Sequence, residues 1–360
     1  MNKLIGGAMA LGAGLCCGTT MAQTVVYGLV DVGVEYVTNV NAAKSSAVRM
    51  PSLTGSFPSR IGFKGNEDLG GGLQVGYVLE TGFGPDTGSV GQGGRLFGRQ
   101  ANVSIKNSYG TLTLGRQINM SYVSMLKADV MGPGIYAIGS MDGYLPNARS
   151  DNAVGYMGAF NGVSMGATYS VGRDASAAGG PAATNCAGEV AGNAKACRQV
   201  TALLAYDSTA YGAALSYDIL YGGPGAAGGL TSSAFHDERT IVNGYGLVGA
   251  TKFGGGLVAR RTRAAVGTDS TLYFFGASYP ASSSVVLDAQ VARLKVKNND
   301  KASTLITAKA TYALSKRTAL YATVGTMRND GAAAIAVDAG GSTAAGLTST
   351  GIMTGLRHTF

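Results

Sequence analysis

The sequence predicts an all-β protein that crosses a membrane as a 16-stranded antiparallel β-barrel. Three observations lead there. Short segments alternate apolar and polar residues along most of the chain, joined in turn by a tight connection and then a long variable one, the rhythm of a transmembrane barrel. Beyond residue 22 no segment approaches the ~18 uninterrupted apolar residues of a spanning helix, although 46% of the chain is hydrophobic and only 13% charged. The 57 Gly and 18 Tyr, with no Trp and no long helical periodicity, suit many strands and many turns.

Residues 1–22 read as a secretory signal. Lys3 supplies the charged start, Ile5 to Cys17 the apolar core and Thr20-Met21-Ala22 a small-residue cleavage site, so the mature barrel is expected to span residues 23–360. In Val25 to Val37, Val26, Val30, Val32, Val34 and Tyr36 fall on one face, and Tyr27, Asp31 and Glu35 on the other. Ser59 to Leu73, Leu73 to Phe83 and Gly98 to Gln117 continue the pattern. Asn161-Gly162 marks a hairpin between Asn152 to Phe160 and Val163 to Ser170. Further pairs follow: Val200 to Asp207 with Tyr211 to Tyr221; Arg239 to Lys252 with Leu257 to Arg263, turning at Phe253-Gly254-Gly255-Gly256; Thr271 to Tyr279 with Val285 to Val296; and Thr304 to Leu314 with Thr318 to Met327. The last strand is Thr350 to Phe360. The total is about sixteen, an even number as single-chain bacterial barrels have. A closed sheet satisfies every backbone polar group in lipid and leaves no edge, which an open sheet cannot do there.

Two intervals break the pattern. Residues 117–150 are too long and too apolar for a linker, and are expected to pack inside the barrel through Met125, Leu126, Val130, Met131, Ile135 and Ile138. Residues 171–198 form a long external loop holding Cys186 and Cys197, for which a disulfide is favoured over metal binding in an exported chain.

The charges exclude other classes. The formal net charge of +8 comes from basic residues scattered singly through β-like segments, which argues against nucleic acid. Gly244 to Gly249 matches a dinucleotide-type glycine pattern, but no helix follows it. His236 and His358 form neither a metal cluster nor a catalytic triad, so no catalytic residue, metal or cofactor is expected.

Several stretches resemble the trimeric general-diffusion porins of Gram-negative outer membranes: VYGLVDVGVEY after the signal, SRIGFKGNEDLGGGL at Ser59, GRQ at Gly98, GTLTLGRQ at Gly110, RSDNAVGY at Arg149, YALSKRTALYA at Tyr312 and GLRHTF at the end. The resemblance implies a homotrimer in the bacterial outer membrane and a third external loop folded into the pore, which is then the 117–150 constriction loop. It also implies constriction arginines at Arg60 and Arg149. Alternation independently sends Arg60 and Lys64 inward and Arg149 opposite the lipid-facing Tyr156. Arg99 belongs with the wall arginines by resemblance, whereas periodicity groups it with Val103 and Ile105. The two readings agree if that outer face meets a neighbouring subunit.

Asp129 and Asp142 are the only acids in the loop and are expected to oppose Arg60, Arg99, Arg149 and Lys64, a balance that favours anions. The plainer alternatives are that Asp129 only terminates a helix or turn and that Asp142 opens an Asp-Gly turn. Lys309 and Arg357 should line the lumen. Arg293 and Lys295 share parity with Val291; they reach lipopolysaccharide phosphates at the outer rim, or a bulge turns them inward. The outward-facing Phe360 resembles the terminal signal read by the barrel assembly machinery. The function expected is passive diffusion of small hydrophilic solutes and ions, with anions preferred. The alternatives are a substrate-specific channel, kept open by Tyr136 and Tyr144 in the loop, or an outer-membrane hydrolase, which the His placement disfavours.

Overall fold

The computed structural model describes residues 23–52, 54–178, 180 and 183–360; the expected signal sequence lies outside them. The described chain forms eighteen β segments: β1 (Val25–Val37), β2 (Ala47–Arg49), β3 (Arg60–Gly70), β4 (Leu73–Gly82), β5 (Gln100–Asn107), β6 (Gly110–Ile118), β7 (Arg149–Ser150), β8 (Ala153–Phe160), β9 (Val163–Ser170), β10 (Gln199–Asp207), β11 (Tyr211–Tyr221), β12 (His236–Val248), β13 (Thr251–Arg263), β14 (Thr268–Pro280), β15 (Val285–Val296), β16 (Ala302–Ala313), β17 (Thr318–Asp330) and β18 (Ser349–Thr359). Setting aside β2 with three residues and β7 with two leaves sixteen long strands. These have 8 to 13 residues, bracketing the ~9–11 that cross a bilayer when tilted.

The sheet closes on itself. One side of β1 pairs with β18, from Leu29↔Thr359 to Val37↔Gly351, and the other with β3, from Val25↔Lys64 to Leu29↔Arg60. Phe360 and Gly28 exchange two backbone hydrogen bonds of 3.1 Å, so the last residue seals the seam. No long strand is left with an unpaired edge, and that is what allows the backbone to sit in hydrocarbon.

The two faces differ as alternation demands. Along β1, Val34 and Tyr36 are exposed on the outside while Asp31 and Glu35 are each 1% exposed on the inside. The same outer band continues through Val103, Ile105, Leu112, Leu114, Val154 and Tyr156, all large and exposed. The ladder between β14 and β15 runs without a shift from Ser270↔Val296 to Pro280↔Val286. No bulge turns Arg293 inward; it stays opposite the exposed Tyr273 and bonds Thr304 at 2.8 Å.

One hairpin differs from expectation. The turn between β12 and β13 lies at Gly249-Ala250, where Gly249 has φ +58°, and Phe253 to Gly256 are inside β13. Gly254 is there because another segment lies on it, since a Cβ there would strike the backbone of Ala128, whereas Gly255 and Gly256 approach the neighbouring strands at Phe274 and Asn243. A glycine run therefore marks close approach of a second backbone here, not a turn.

Candidate pore constriction

The segment between β6 and β7 crosses the barrel interior and is tied down along its length. It opens with a short helix, Met120–Met125, capped by the Asn119 side chain, which accepts from Ser121 N. On the first wall, the Ser121 hydroxyl donates to Asp218 at 2.7 Å and the Ser216 hydroxyl to Ser124 Oγ at 3.0 Å. Next, Gln290 Nε2 donates to Asp129 at 2.9 Å. Tyr136 then donates to Glu35 at 2.9 Å, with its ring over Gly325 and Gly351. Finally the Tyr144 hydroxyl donates to Asp218 while accepting from Gln199 at 2.6 Å and Asn119 at 2.8 Å. Two other loops lie against the segment, through Ile135 N to Gly55 O and Ala339 N to Ile135 O, each 3.0 Å. Met125, Ile135, Tyr136, Ile138, Met141 and Leu145 share one buried apolar cluster with wall residues Ile241, Leu272, Leu305 and Met353.

Leu126 corrects the expected packing. It is 59% exposed and lines lumen cavities instead of joining the buried apolar cluster. It is the last turn of the six-residue helix that points it away, since Met125 beside it takes the wall-facing position.

The arginines gather at a different wall. Arg99 Nε donates to Glu80 at 2.6 Å and Arg60 Nε lies 3.6 Å from the same carboxylate, which also accepts from Tyr27 at 2.9 Å. Lys64 Nζ sits 5.1 Å above the Tyr27 ring, on the same face. Arg149 is 2% exposed; its Nε has no hydrogen-bond partner among the described residues, and its Nη1 reaches Pro146 O only at 3.5 Å. Burial first, then the Arg99 and Arg116 charges, press its pKa downward. A guanidinium does not release its proton in proteins, so this cost persists as a positive field. Arg116 is paired with Asp151, which Arg95 also meets at 3.0 Å.

Arg99 obeys no alternation because it precedes β5, whose first residue is Gln100. Its N–H donates to Glu80 O at 3.0 Å, and the turn at Arg95 to Gly98 swings its side chain inward. No neighbouring subunit is needed to explain it.

The loop acids do not oppose these arginines as the sequence suggested. Asp142 chelates Arg239 on β12, at 2.8 Å to Nε and 3.2 Å to Nη2, and also accepts from Tyr144 N at 3.1 Å. Burial pushes its pKa up, but Arg239 and Arg260 more than offset this and hold it low. Asp129 faces β15 and β16. Burial raises its pKa to about 6, against the pull of Gln290, the Gly132 and Met131 amides and Lys309. The carboxylate among the arginines is Glu80, which sequence reasoning missed. Alternation carried the signal, for Glu80 shares the inward face of β4 with Gln74, Gly76 and Val78 and lies opposite Gly62, two residues from Arg60.

Of the other predicted residues, Lys309 pairs with Asp288 at 3.2 Å, and Arg357 stacks on Phe57 at 4.8 Å while donating to Ser56 at 3.2 Å. Cys186 and Cys197 are joined by a disulfide with Cα atoms 5.1 Å apart. Phe360 is exposed on the outer face with Ile352 and Leu356. Among the described residues no cluster of His, Cys, Asp and Glu has the makings of a metal site.

Comparison with known proteins agrees with this geometry. Residues 7–332 match the family model described as Gram-negative porin. The outer membrane porin protein 32 of Delftia acidovorans is 30% identical, over 98% of this chain and 99% of its own. An outer membrane porin protein of Bordetella pertussis is 31% identical over 88% and 91%. Among solved structures, the anion-selective porin from Comamonas acidovorans superposes with a TM-score of 0.76 at 25% identity, covering 94% of this chain and all of that one. A closed barrel with a lipid-ready outside, a charged inside and this kinship together show that the chain belongs to the Gram-negative porins, channels of the outer membrane.

Proposed function

We propose that this porin conducts small hydrophilic solutes passively with anions preferred, and that residues 117–150 form its constriction opposite the Arg60, Arg99 and Arg149 wall. The observation that carries the reading is the local charge count: three guanidinium groups surround one carboxylate, Glu80, while Asp129 and Asp142 are engaged on other walls. Low-dielectric walls focus that excess onto the aperture, raising the local concentration of anions and excluding cations. The anion selectivity named for the Comamonas acidovorans relative supports the same sign.

The channel does no covalent chemistry in this reading, its hydrogen-bonded carboxylates and tyrosines serving to hold the loop. It assembles as a homotrimer, as does the trimer form of an outer membrane protein of Vibrio cholerae with a similar fold. Its outer rim meets lipopolysaccharide through exposed cations such as Arg293, and the barrel assembly machinery reads its Phe360 terminus.

Planar-bilayer recording under a KCl gradient tests the central claim. The reversal potential is expected on the chloride side; a potassium-selective potential refutes it.

A further inference from the structure

The lumen holds a recess whose chemistry exceeds what small inorganic ions require. Between the crossing loop and β13 to β16 lies a cavity of about 300 Å³. Its loop side is apolar, formed by Leu126, Val130, Met131 and Ile138, and the Phe57 ring closes one end. Exposed leucine surface in a water-filled channel gains nothing from a hydrated chloride, whereas an apolar solute body removes that surface from water.

The opposite side supplies a cation. Lys252 lines the cavity, and among the described residues it forms no ion pair; its Nζ only overlies the Tyr245 ring at 5.1 Å. Lys309 lines the same wall but is already matched by Asp288 at 3.2 Å. Asp129, the one acid in the lining, accepts from Gln290 at 2.9 Å and its charge is also felt by Lys252. An ammonium that forms no ion pair among the described residues, facing an apolar shelf, describes a solute with a single carboxylate and a compact apolar body. The volume stands at the lower end of the ~300–1,000 Å³ of ligand sites, which limits the occupant to about one ring.

We propose that this recess is a binding subsite for small amphiphilic monocarboxylates, with Lys252 taking the carboxylate and Leu126, Val130 and Phe57 the apolar body. The proposal rests on the anion-preferring reading above and adds a substrate class to it. A solute held briefly there passes the constriction already desolvated on its apolar side and, while bound, obstructs chloride.

The test uses the mature protein in planar bilayers, with benzoate, acetate and neutral benzamide as probes. The chloride reversal potential is recorded first, then block of the chloride current. Benzoate is expected to block saturably at a concentration at least about tenfold below acetate or benzamide, the gain of one charged contact combined with one buried ring. Lys252→Gln and, separately, Leu126→Ser should each raise the benzoate half-block about tenfold, each read against that variant's own chloride current. Equal block by benzoate and acetate in a channel that still prefers chloride overturns the subsite alone, as does benzoate block unchanged in both variants. A potassium-selective potential in the unmodified protein overturns the anion-preferring reading instead.

Discussion

Arg149 and Glu80 illustrate how much a single side chain decides inside a barrel. Arg149 is buried and shares the Glu80 carboxylate's field with Arg60 and Arg99, so its positive charge is only partly compensated within the described residues. Arg149→Ala is expected to lower the chloride-to-potassium permeability ratio about two- to fivefold, matching about 0.5–1 kcal/mol for one charge at short range in a high-dielectric channel. Reversal potentials under a salt gradient measure it. Asp129 adds a pH dependence whose sign follows from its carboxyl being raised to about 6 by burial. It is anionic at pH 7.5 and loses that charge as the pH falls through about 6, so chloride preference should rise on acidification. Asp129→Asn should reproduce the acidic value at pH 7.5 and abolish the change between pH 7.5 and 5. At this scale alternation speaks only to residues within one strand, such as Arg60 and Lys64 on β3, because side-chain direction is local. It could not place Arg99, which stands just outside its strand, nor say that Asp142 would be taken by Arg239, 97 residues away.

The crossing loop is the element on which aperture depends, and it is held by polar latches set in an apolar bed. Tyr144 is the most connected of them, and burial next to Asp218 raises its hydroxyl pKa, keeping it a donor at ordinary pH. Tyr144→Phe leaves Asp218, Gln199 and Asn119 each short of a partner, a loss of about 1–3 kcal/mol for a buried group. Greater open-channel current noise is the expected readout. Gly254→Val attacks the same element from the wall: the new side chain needs the space of the Ala128 backbone, so the loop must lift from β13 and single-channel conductance should change. Conductance like that of the unmodified channel would show that the loop does not set the aperture. The length and apolarity of residues 117–150 announced an inward-packing element. Its contacts stayed hidden because they come from eight or more strands that no sequence spacing relates, and Leu126 looked like a packing residue although it faces the lumen.

For the whole molecule the decisive event is closure. Phe360 bonds Gly28 through both backbone groups and presents its ring outward, so it belongs at once to the seam and to the exposed outer face. Deleting Phe360 should reduce the amount of protein reaching the outer membrane severalfold while leaving the conductance of assembled channels within about twofold, because its ring lies on the outer face of the barrel and not in the lumen. Quantifying folded protein in membranes beside single-channel recording separates the two effects. By itself the sequence determined the strand count, the membrane-facing side of each strand and the place of the irregular loop, since a period of two and a requirement for satisfied backbone in lipid act over a few residues at a time. Only the tertiary structure decided which acid meets which base, why Gly254 and its neighbours belong inside a strand, and where the lumen turns apolar. Those outcomes depend on closing the sheet and laying a second backbone across it, and closure brings together residues that are hundreds of positions apart.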